Sequence, residues 1–176
     1  MFVFAMNCNV AIKALDRKVY VFTNFHKLMI SSTTKVKLLN FYPPYFFAGI
    51  KIVEVNESLT RFVVEMKLRF WNKNLFGTHF GGSLYSMCDP FFTFIFVENL
   101  GKNYIVWDKA ASIRFRKPGR GTMRAVFELS KEEIEEARAK ADNGQRDFVY
   151  QVKILNESNE VVAEVEKVVY IKPREL

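Results

Sequence analysis

The strongest constraint on the fold is a two-residue alternation of apolar and largely charged side chains between Thr60 and Phe70. One side of this pattern is apolar, as in a β-strand with one face on a core and the other in water. The residues on that side are Phe62, Val64, Met66, Leu68 and Phe70. Similar signals recur along the chain, so the sequence predicts six strands in one antiparallel sheet. They are expected at Ile50–Val55, Thr60–Phe70, Tyr104–Lys117, Thr122–Leu129, Arg146–Leu155 and Val161–Ile171.

The same alternation predicts which side chains of the later strands face the core. The inward set is Ile113, Phe115, Met123, Ala125, Phe127, Leu129, Phe148, Tyr150, Val152 and Ile154. Between the fourth and fifth predicted strands, Ser130 is expected to cap a helix, because four glutamates follow it near the positive helix end.

The segment from Gly82 to Asn99 is apolar on most sides, which predicts one long, buried helix. Its polar side chains Ser86, Asp89 and Thr93 are spaced by three and then four residues, so they form one narrow stripe. Pro90 has no amide hydrogen, and the helix is therefore expected to bend beside Asp89.

Asp89 is the leading candidate for a catalytic group. A carboxylate on a sheet-wrapped helix loses hydration, so its pKa is expected to rise toward a value useful for a general base. The alternative is a structural aspartate that bonds Ser86 or a neighbouring strand. Cys88 is interpreted as inert packing, since adjacent helix positions point in different directions.

The loop from Asn74 to Gly82 leads directly into this helix. Gly81 and Gly82 allow a ligand to approach free amide groups closely, which makes them candidate oxyanion donors, although glycines at a helix start are more often a packing device. His79 has three interpretations: a base, a donor to a carbonyl, or a loop histidine that holds Asn74.

The chain is basic, and its positive charge is concentrated in one stretch. There are 26 lysines and arginines against 19 acidic residues, which gives a net charge of +7. Residues 109–127 contain no acid, so they favour an anionic partner such as phosphate, with a solvated strand and turn as the alternative. The six cations are Lys109, Arg114, Arg116, Lys117, Arg120 and Arg124.

The chain divides into an N-terminal extension, residues 1–40, and a main domain, residues 41–176. Apolar residues make up 49% of the chain and aromatic residues 15%, which excludes a disordered protein. Residues 31–34 are expected to cap a short helix that runs through Leu39. The pair Pro43-Pro44 is expected to exclude regular helix at the start of the main domain.

The cysteines and histidines indicate that the protein works in a reducing compartment, and they give no support for a metal site. Cys8 and Cys88 are far apart, and together with His26 and His79 they show no metal-binding spacing. The first basic residue is Lys13, which is not the pattern of a signal peptide, and no apolar run approaches the roughly 20 residues of a membrane span. A soluble, cytoplasmic protein is expected.

The order of these elements resembles the hot-dog fold, an α+β fold in which an antiparallel sheet wraps one long helix. Asn74, Gly77-Thr78 and Gly81-Gly82, followed by Asp89, resemble the motif of phenylacetate-type acyl-CoA thioesterases. The stretch from Ile113 to Gly119 is similar to the strand and turn that follow the helix in those enzymes.

A closer resemblance is to an uncharacterised bacterial branch of the hot-dog superfamily, through Phe80–Tyr85 and Trp107–Ser112. In characterised thioesterases a histidine usually precedes the two glycines. In this chain Phe80 stands at that position, and His79 is displaced by one residue.

The resemblance implies a homodimer or a dimer of dimers that hydrolyses acyl thioesters of CoA or of an acyl carrier protein without a cofactor. Asp89 would act as nucleophile or general base, the glycine amides would form the oxyanion hole, and Asn74 would orient the carboxylate or the water. The site would be shared across the dimer interface. Substrate-binding candidates are Thr78, Ser86, Arg114, Arg116, Lys117 and Arg120. Asp108 and Lys109 are second-tier candidates. The alternative for these two residues is an ion pair at a strand start.

Three alternatives stay open. The same fold could dehydrate or hydrate an acyl thioester, with His79 and Asp89 as the acid and base. A non-enzymatic acyl-CoA or acyl-chain binding protein is favoured by Phe80 and the many phenylalanines. A nucleic-acid binder is suggested by the basic stretch around Phe115, but strand alternation is expected to turn that ring into the core, away from any base.

Overall fold

The computed structural model describes residues 31–175, so the predictions about Cys8, His26 and the apolar N-terminal run lie outside the described residues. Six strands form one sheet with the order β1-β2-β4-β5-β6-β3, and every neighbouring pair is antiparallel. The six-stranded antiparallel sheet is therefore confirmed. The strands are β1 Ile50–Val55, β2 Arg61–Lys67, β3 Tyr104–Phe115, β4 Thr122–Glu128, β5 Asp147–Leu155 and β6 Val161–Pro173.

Five α-helices lie in the described part of the chain. They are α1 Ser32–Leu38, α2 Pro43–Ala48, α3 Gly81–Ser86, α4 Phe91–Leu100 and α5 Lys131–Asp142, with a short 3-10 turn at Leu39–Phe41. Among residues 31–175, no helix has the length and apolar character that a membrane span needs.

The core lies between the sheet and α4. Phe91, Phe92, Ile95 and Phe96 of α4 are buried, because this helix is apolar on nearly all sides and would lose its burial free energy in water. Most of the predicted inward side chains of β4 and β5 are also buried, which confirms the alternation. These buried residues are Met123, Ala125, Phe127, Phe148, Val152 and Ile154.

Two aromatic residues depart from the predicted faces. β2 ends at Lys67, so Phe70 lies beyond the sheet and is 80% exposed. Phe115 lies on the same face as Ile113, but it is the last residue of β3 and is 53% exposed. Its ring covers Gly81 rather than the core. The argument that Phe115 is buried away from a nucleic-acid base is therefore wrong.

The N-terminal part of the described chain contains two short helices. α1 confirms the predicted short helix after Ser31. The expectation that Pro43-Pro44 excludes a helix is wrong, because α2 begins at Pro43. Proline fits the first helical turn, where its missing amide hydrogen would have no intrahelical acceptor. The helix places Tyr45 against Phe91, with ring centroids 6.1 Å apart.

The predicted single helix from Gly82 to Asn99 is divided in two. α3 ends at Ser86 and α4 begins at Phe91, and residues 87–90 link them through a cis Asp89–Pro90 peptide bond. Pro90 cannot donate a backbone hydrogen bond to the preceding turn, so the helix does not continue through it. The bend expected beside Asp89 is thus a complete interruption, and Asp89 lies on a linker.

α5 covers the sheet beyond α4 and begins with a capping box. The Ser130 hydroxyl accepts a hydrogen bond from the Glu133 amide at 3.1 Å, and the Glu133 carboxylate accepts one from the Ser130 amide at 2.7 Å. These two bonds satisfy amide groups that have no acceptor inside the helix. The predicted cap at Ser130 is confirmed.

Candidate active site

Asp89 lies on the linker between α3 and α4, and its side chain is half-exposed. Asp89 Oδ1 is 2.9 Å from Nζ of Lys167 on β6, and the backbone carbonyl of Asp89 accepts a hydrogen bond from the Tyr45 hydroxyl. The Ser86 hydroxyl instead donates to the Gly82 carbonyl at 2.9 Å. Asp89 therefore bonds a neighbouring strand, as the structural alternative predicts, while keeping half of its side chain in solvent.

Lys167 is the residue of this site that the sequence analysis missed. Only 1% of its side chain is exposed, and Nζ lies 3.1 Å from Asp108 Oδ2 as well as beside Asp89. A lysine is almost never fully buried unless it is paired. The signal was present in the sequence, because Lys167 falls between Val165 and Val169 on the inward face of β6.

The prediction that Asp89 has a raised pKa is wrong. Burial opposes its ionisation, but the neighbouring Asp108 carboxyl and the Lys167 ammonium together hold the pKa of Asp89 below its usual range. Burial also opposes the charge of Lys167, yet the two carboxylates raise the pKa of its ammonium. At pH values near neutrality, Asp89 is consequently an ionised carboxylate paired with the Lys167 ammonium.

Asp108 carries the pKa shift that was expected of Asp89. Burial, and then the adjacent Asp89 carboxylate, raise the pKa of Asp108 to about 6, against the attraction of Lys167. Both oxygens of Asp108 are buried: Oδ2 lies 3.1 Å from Lys167 Nζ, and Oδ1 makes no hydrogen bond of good geometry among residues 31–175. Lys167, Asp89 and Asp108 are called the Lys–Asp cluster below.

Asp108 and Lys109 do not form the ion pair that was the alternative for them. Lys109 Nζ lies 2.6 Å from a carboxylate oxygen of Asp147 on the exposed face of the sheet. The pairing of β3 with β6 is irregular between Asp108 and Ala110, and there Asp108 lies beside the buried Lys167 while Lys109 is exposed.

The glycine-rich loop is held together by Asn74. Its Oδ1 accepts hydrogen bonds from the amides of Phe76 at 2.9 Å and Thr78 at 3.1 Å, and its Nδ2 donates to Thr78 Oγ1 at 2.9 Å. Asn74 Nδ2 is also 3.3 Å from the carbonyl oxygen of His79. The polar atoms of Asn74 and Thr78 are therefore engaged within their own loop.

His79 is buried, although it also borders the cleft beside α3 that is described below. Its Nε2 lies 2.9 Å from the carbonyl oxygen of Gly121, and its backbone amide donates to the Gly119 carbonyl at 3.0 Å. Burial lowers the pKa of the imidazole, with the bond to Gly121 acting in the other direction. This geometry favours the loop-holding interpretation of His79.

Gly81 and Gly82 form the first turn of α3, whose amide groups have no intrahelical acceptor. A methyl group on Gly81 would lie 3.0 Å from Phe115 Cζ, and one on Gly82 would lie 2.6 Å from Phe80 Cε1. The glycines therefore allow two aromatic rings to approach the start of α3 closely. α3 has six residues, so the individual amides matter more here than a helix dipole.

A cleft of about 610 Å³ lies beside this turn. One wall is the glycine loop with Asn74, Thr78 and Gly81, and the opposite wall is the stretch from Phe115 to Arg120. Gly81 and three of the predicted cations are thus brought together. Four other predicted site residues do not line this cleft: Gly82, Ser86, Asp89 and Arg114.

The cations of the cleft differ in their partners. Arg116 lies 2.6 Å from a Glu164 oxygen and Lys117 lies 2.8 Å from a Glu160 oxygen. Arg120 makes no ion pair within residues 31–175 and is therefore available for an anionic ligand.

A second cleft, of about 330 Å³, is lined by Phe47, Trp71, Phe80 and Ser83, again without Asp89. Cys88 is buried, and burial raises the pKa of its thiol, which fits the interpretation of inert packing. No set of three histidine, cysteine or carboxylate side chains suited to a metal ion occurs in the part of the chain described.

Solved structures with the same architecture include several proteins described as thioesterases. A Pseudomonas aeruginosa protein of unknown function, described as a "Probable Thioesterase", superposes with a TM-score of 0.71 at 19% identity, covering 81% of this chain and 96% of its own. A Haemophilus influenzae thioesterase superposes with a TM-score of 0.62 at 14% identity, covering 81% and 91%. The Escherichia coli PaaI protein of the phenylacetic acid degradation operon gives 0.55 at 21% identity, covering 80% and 94%.

These similarities establish the hot-dog architecture expected from the sequence. No curated protein sequence matches the chain. Residues 32–171 match the model of a family described as "Domain of unknown function (DUF4442)". Because this match covers most of the chain, the protein belongs to the DUF4442 family.

Proposed function

We propose that this protein is an acyl thioesterase that hydrolyses thioesters of CoA or of an acyl carrier protein. The observation that carries the proposal is the Asp89 carboxylate, which is half-exposed at a helix interruption and held ionised by the buried Lys167. An ionised, oriented carboxylate can act on water as a general base or attack the thioester carbonyl itself.

The cleft beside α3 supports a thioester as the substrate. Its apolar side chains, Phe76, Leu84 and Phe115, suit an acyl chain or the arm of a carrier, while Arg120 and its basic neighbours suit phosphate groups. Gly81 lines the same cleft, and the amides of Gly81 and Gly82 in the first turn of α3 can donate hydrogen bonds to a developing oxyanion. The structural neighbours described as thioesterases add support at the level of the fold.

A second copy of the chain completes the site in this proposal. Asp89 lines neither described cleft of the single chain, so the glycine loop that faces it comes from the partner of a homodimer. This arrangement agrees with the shared sites implied by the resemblance to acyl-CoA thioesterases.

The reaction then follows from the positions of these groups. Arg120 binds the phosphate end of the carrier, and a glycine amide polarises the thioester carbonyl. Asp89 removes a proton from water, the water oxygen bonds to the carbonyl carbon, and the carbon–sulfur bond breaks. The proton returns to the departing thiolate, which leaves a free acid and a free thiol.

Free thiol release from acyl-CoAs of several chain lengths tests the proposal. Wild-type protein is expected to release thiol, and Asp89→Asn is expected to lose this activity while still folding, since amide and carboxylate have the same shape. Absence of release with every acyl-CoA and every acyl carrier protein thioester would contradict the proposal.

The second candidate is a non-enzymatic binder of acyl-CoA or acyl chains. It is favoured by Phe80 and Phe115, whose rings lie against the two glycines and partly cover the proposed oxyanion donors. Saturable binding without thiol release, equal in wild type and Asp89→Asn, would support the binder. RNA or DNA retention that weakens steeply with salt would instead support a nucleic-acid partner.

A further inference from the structure

We propose that Asp108 and Lys167 are positioning residues of the proton-handling unit: Lys167 fixes the Asp89 carboxylate, and Asp108 stores the proton that Asp89 takes from water. The inference rests on the proposed thioester hydrolysis and names the partners through which Asp89 would work. Neither residue needs to touch the substrate, because both act through Asp89.

One ammonium group joins two carboxylates in the Lys–Asp cluster. Lys167 Nζ lies 2.9 Å from Asp89 Oδ1 and 3.1 Å from Asp108 Oδ2. The three residues come from β6, from the linker before α4 and from β3, so the sheet and the helices fix their mutual positions. With all three groups ionised the cluster carries one net negative charge, and a single added proton makes it neutral.

The buried surroundings of Asp108 indicate where that proton is held. Its Oδ2 lies 3.1 Å from Lys167 Nζ, whereas the buried Oδ1 makes no hydrogen bond of good geometry among the described residues. An ionised carboxyl can only accept hydrogen bonds, whereas a protonated one also donates. A protonated Asp108 would therefore supply a hydrogen-bond donor to surroundings that contain hydrogen-bond acceptors.

Two other groups beside the cluster, the Tyr45 hydroxyl and the Cys88 thiol, do not compete for this proton near neutral pH. The Tyr85 ring faces the ammonium, with its centroid 5.5 Å from Lys167 Nζ. Burial raises the pKa of the Tyr45 hydroxyl and of the Cys88 thiol, so both stay protonated. The titratable and charged groups that act on one another here are Tyr42, Tyr45, Cys88, Asp89, Asp108 and Lys167, with the Tyr85 ring over the ammonium.

The proton balance of the reaction is then complete. Asp89 takes one proton from the attacking water and shares it with Asp108, while the water oxygen bonds to the carbonyl carbon. When the carbon–sulfur bond breaks, the stored proton moves to the thiolate. The cluster returns to its starting charge after each turnover, and Lys167 stays an ammonium throughout.

The pH dependence of kcat/KM for thiol release tests the inference. In wild type, kcat/KM is expected to fall as pH is lowered through about 6, where Asp108 takes up a proton. This part of the profile is called the acid limb. Asp108→Asn should move this limb downward by about one pH unit or more, with a lower kcat and an unchanged KM. Lys167→Met should move it upward, because losing the ammonium favours protonated carboxyls. Glu136→Gln, on the exposed face of α5, is the control for loss of a carboxylate and should leave the limb in place.

Opposite shifts in the two variants are not expected from structural damage, which lowers activity at every pH. If Lys167→Met does not fold, Lys167→Arg keeps the charge and should keep an acid limb close to that of wild type. An acid limb that is the same in wild type and Asp108→Asn would overturn the inference.

Carboxyl carbon NMR of the substrate-free protein separates this inference from the proposed function. One aspartate resonance should titrate near pH 6 in wild type and be absent in Asp108→Asn. That result without any thioester hydrolysis would support the cluster while contradicting the thioesterase. Hydrolysis that needs Asp89, with no aspartate titrating near pH 6, would overturn the role of Asp108 and leave the thioesterase intact.

Discussion

Lys167 Nζ lies 2.9 Å from Asp89 Oδ1, at a position where only 1% of the lysine side chain reaches solvent. A buried ammonium of this kind is stable only because its partners compensate the lost hydration. One partner, Asp89, keeps half of its side chain in water, while the other, Asp108, is largely buried. The pair thus connects a core position to a surface where chemistry can occur.

Replacing Lys167 with methionine should destabilise the fold in a pH-dependent way. We expect the free energy of unfolding to fall by about 2 kcal/mol at pH 8, because Asp108 is left as a buried charge without its ammonium. At pH 5 the loss should be smaller, since Asp108 can then be protonated. Urea denaturation at the two pH values measures this, and an equal loss at both would contradict it.

His79→Gln tests whether this histidine is a neutral loop anchor. Burial lowers the pKa of His79 in the folded state, so its stabilising contribution is full above the unfolded pKa of about 6.5 and is lost as pH falls through the folded value. The variant should be less stable than wild type by about 1 kcal/mol at pH 7.5, from a weaker bond to the Gly121 carbonyl.

The stability difference between wild type and His79→Gln should narrow as pH is lowered to 5, as followed by urea denaturation. A difference that widens toward pH 5 would mean that the charged imidazole stabilises the fold. The same variant should retain thiol release, because the loop-anchoring role places His79 outside the chemistry.

Arg120→Gln tests the phosphate side of the cleft. Arg120 lines the cleft and has no ion pair within residues 31–175, so its loss should raise KM for an acyl-CoA by about tenfold. KM for the matching acyl-pantetheine, which carries no phosphate, should stay the same. Lys140→Gln on α5 removes one exposed positive charge as a control. Equal effects on both substrates would place the phosphates elsewhere.

The sheet and its order of elements were predictable because alternation is a local property of the sequence. The ends of strands were not, and Phe70 and Phe115 were assigned to the core although each lies where the sheet no longer covers a side chain. Pro90 predicted a bend in the helix. It did not predict the length of the interruption, because Asp89 on the linker is held by Lys167 and Tyr45, which lie far away along the chain.

The electrostatics of the site were harder to predict than its location. The sequence indicated Asp89, yet its pKa depends on Lys167, which is 78 residues away along the chain. Burial opposes the ionisation of both carboxyls, but only in Asp108 does it prevail over the neighbouring groups and raise the pKa. The inward-facing position of Lys167 among valines was the one signal that pointed to a buried partner.

The most direct test of the account is thiol release by wild type and Asp89→Asn, with acyl-CoAs of several chain lengths at pH 7.5. Glu98→Gln on α4 is the matched control, since it removes an exposed carboxylate outside the Lys–Asp cluster. The account predicts turnover by wild type and the control, and a loss of about 100-fold or more in kcat for Asp89→Asn with an intact fold. Equal turnover by wild type and Asp89→Asn would contradict it.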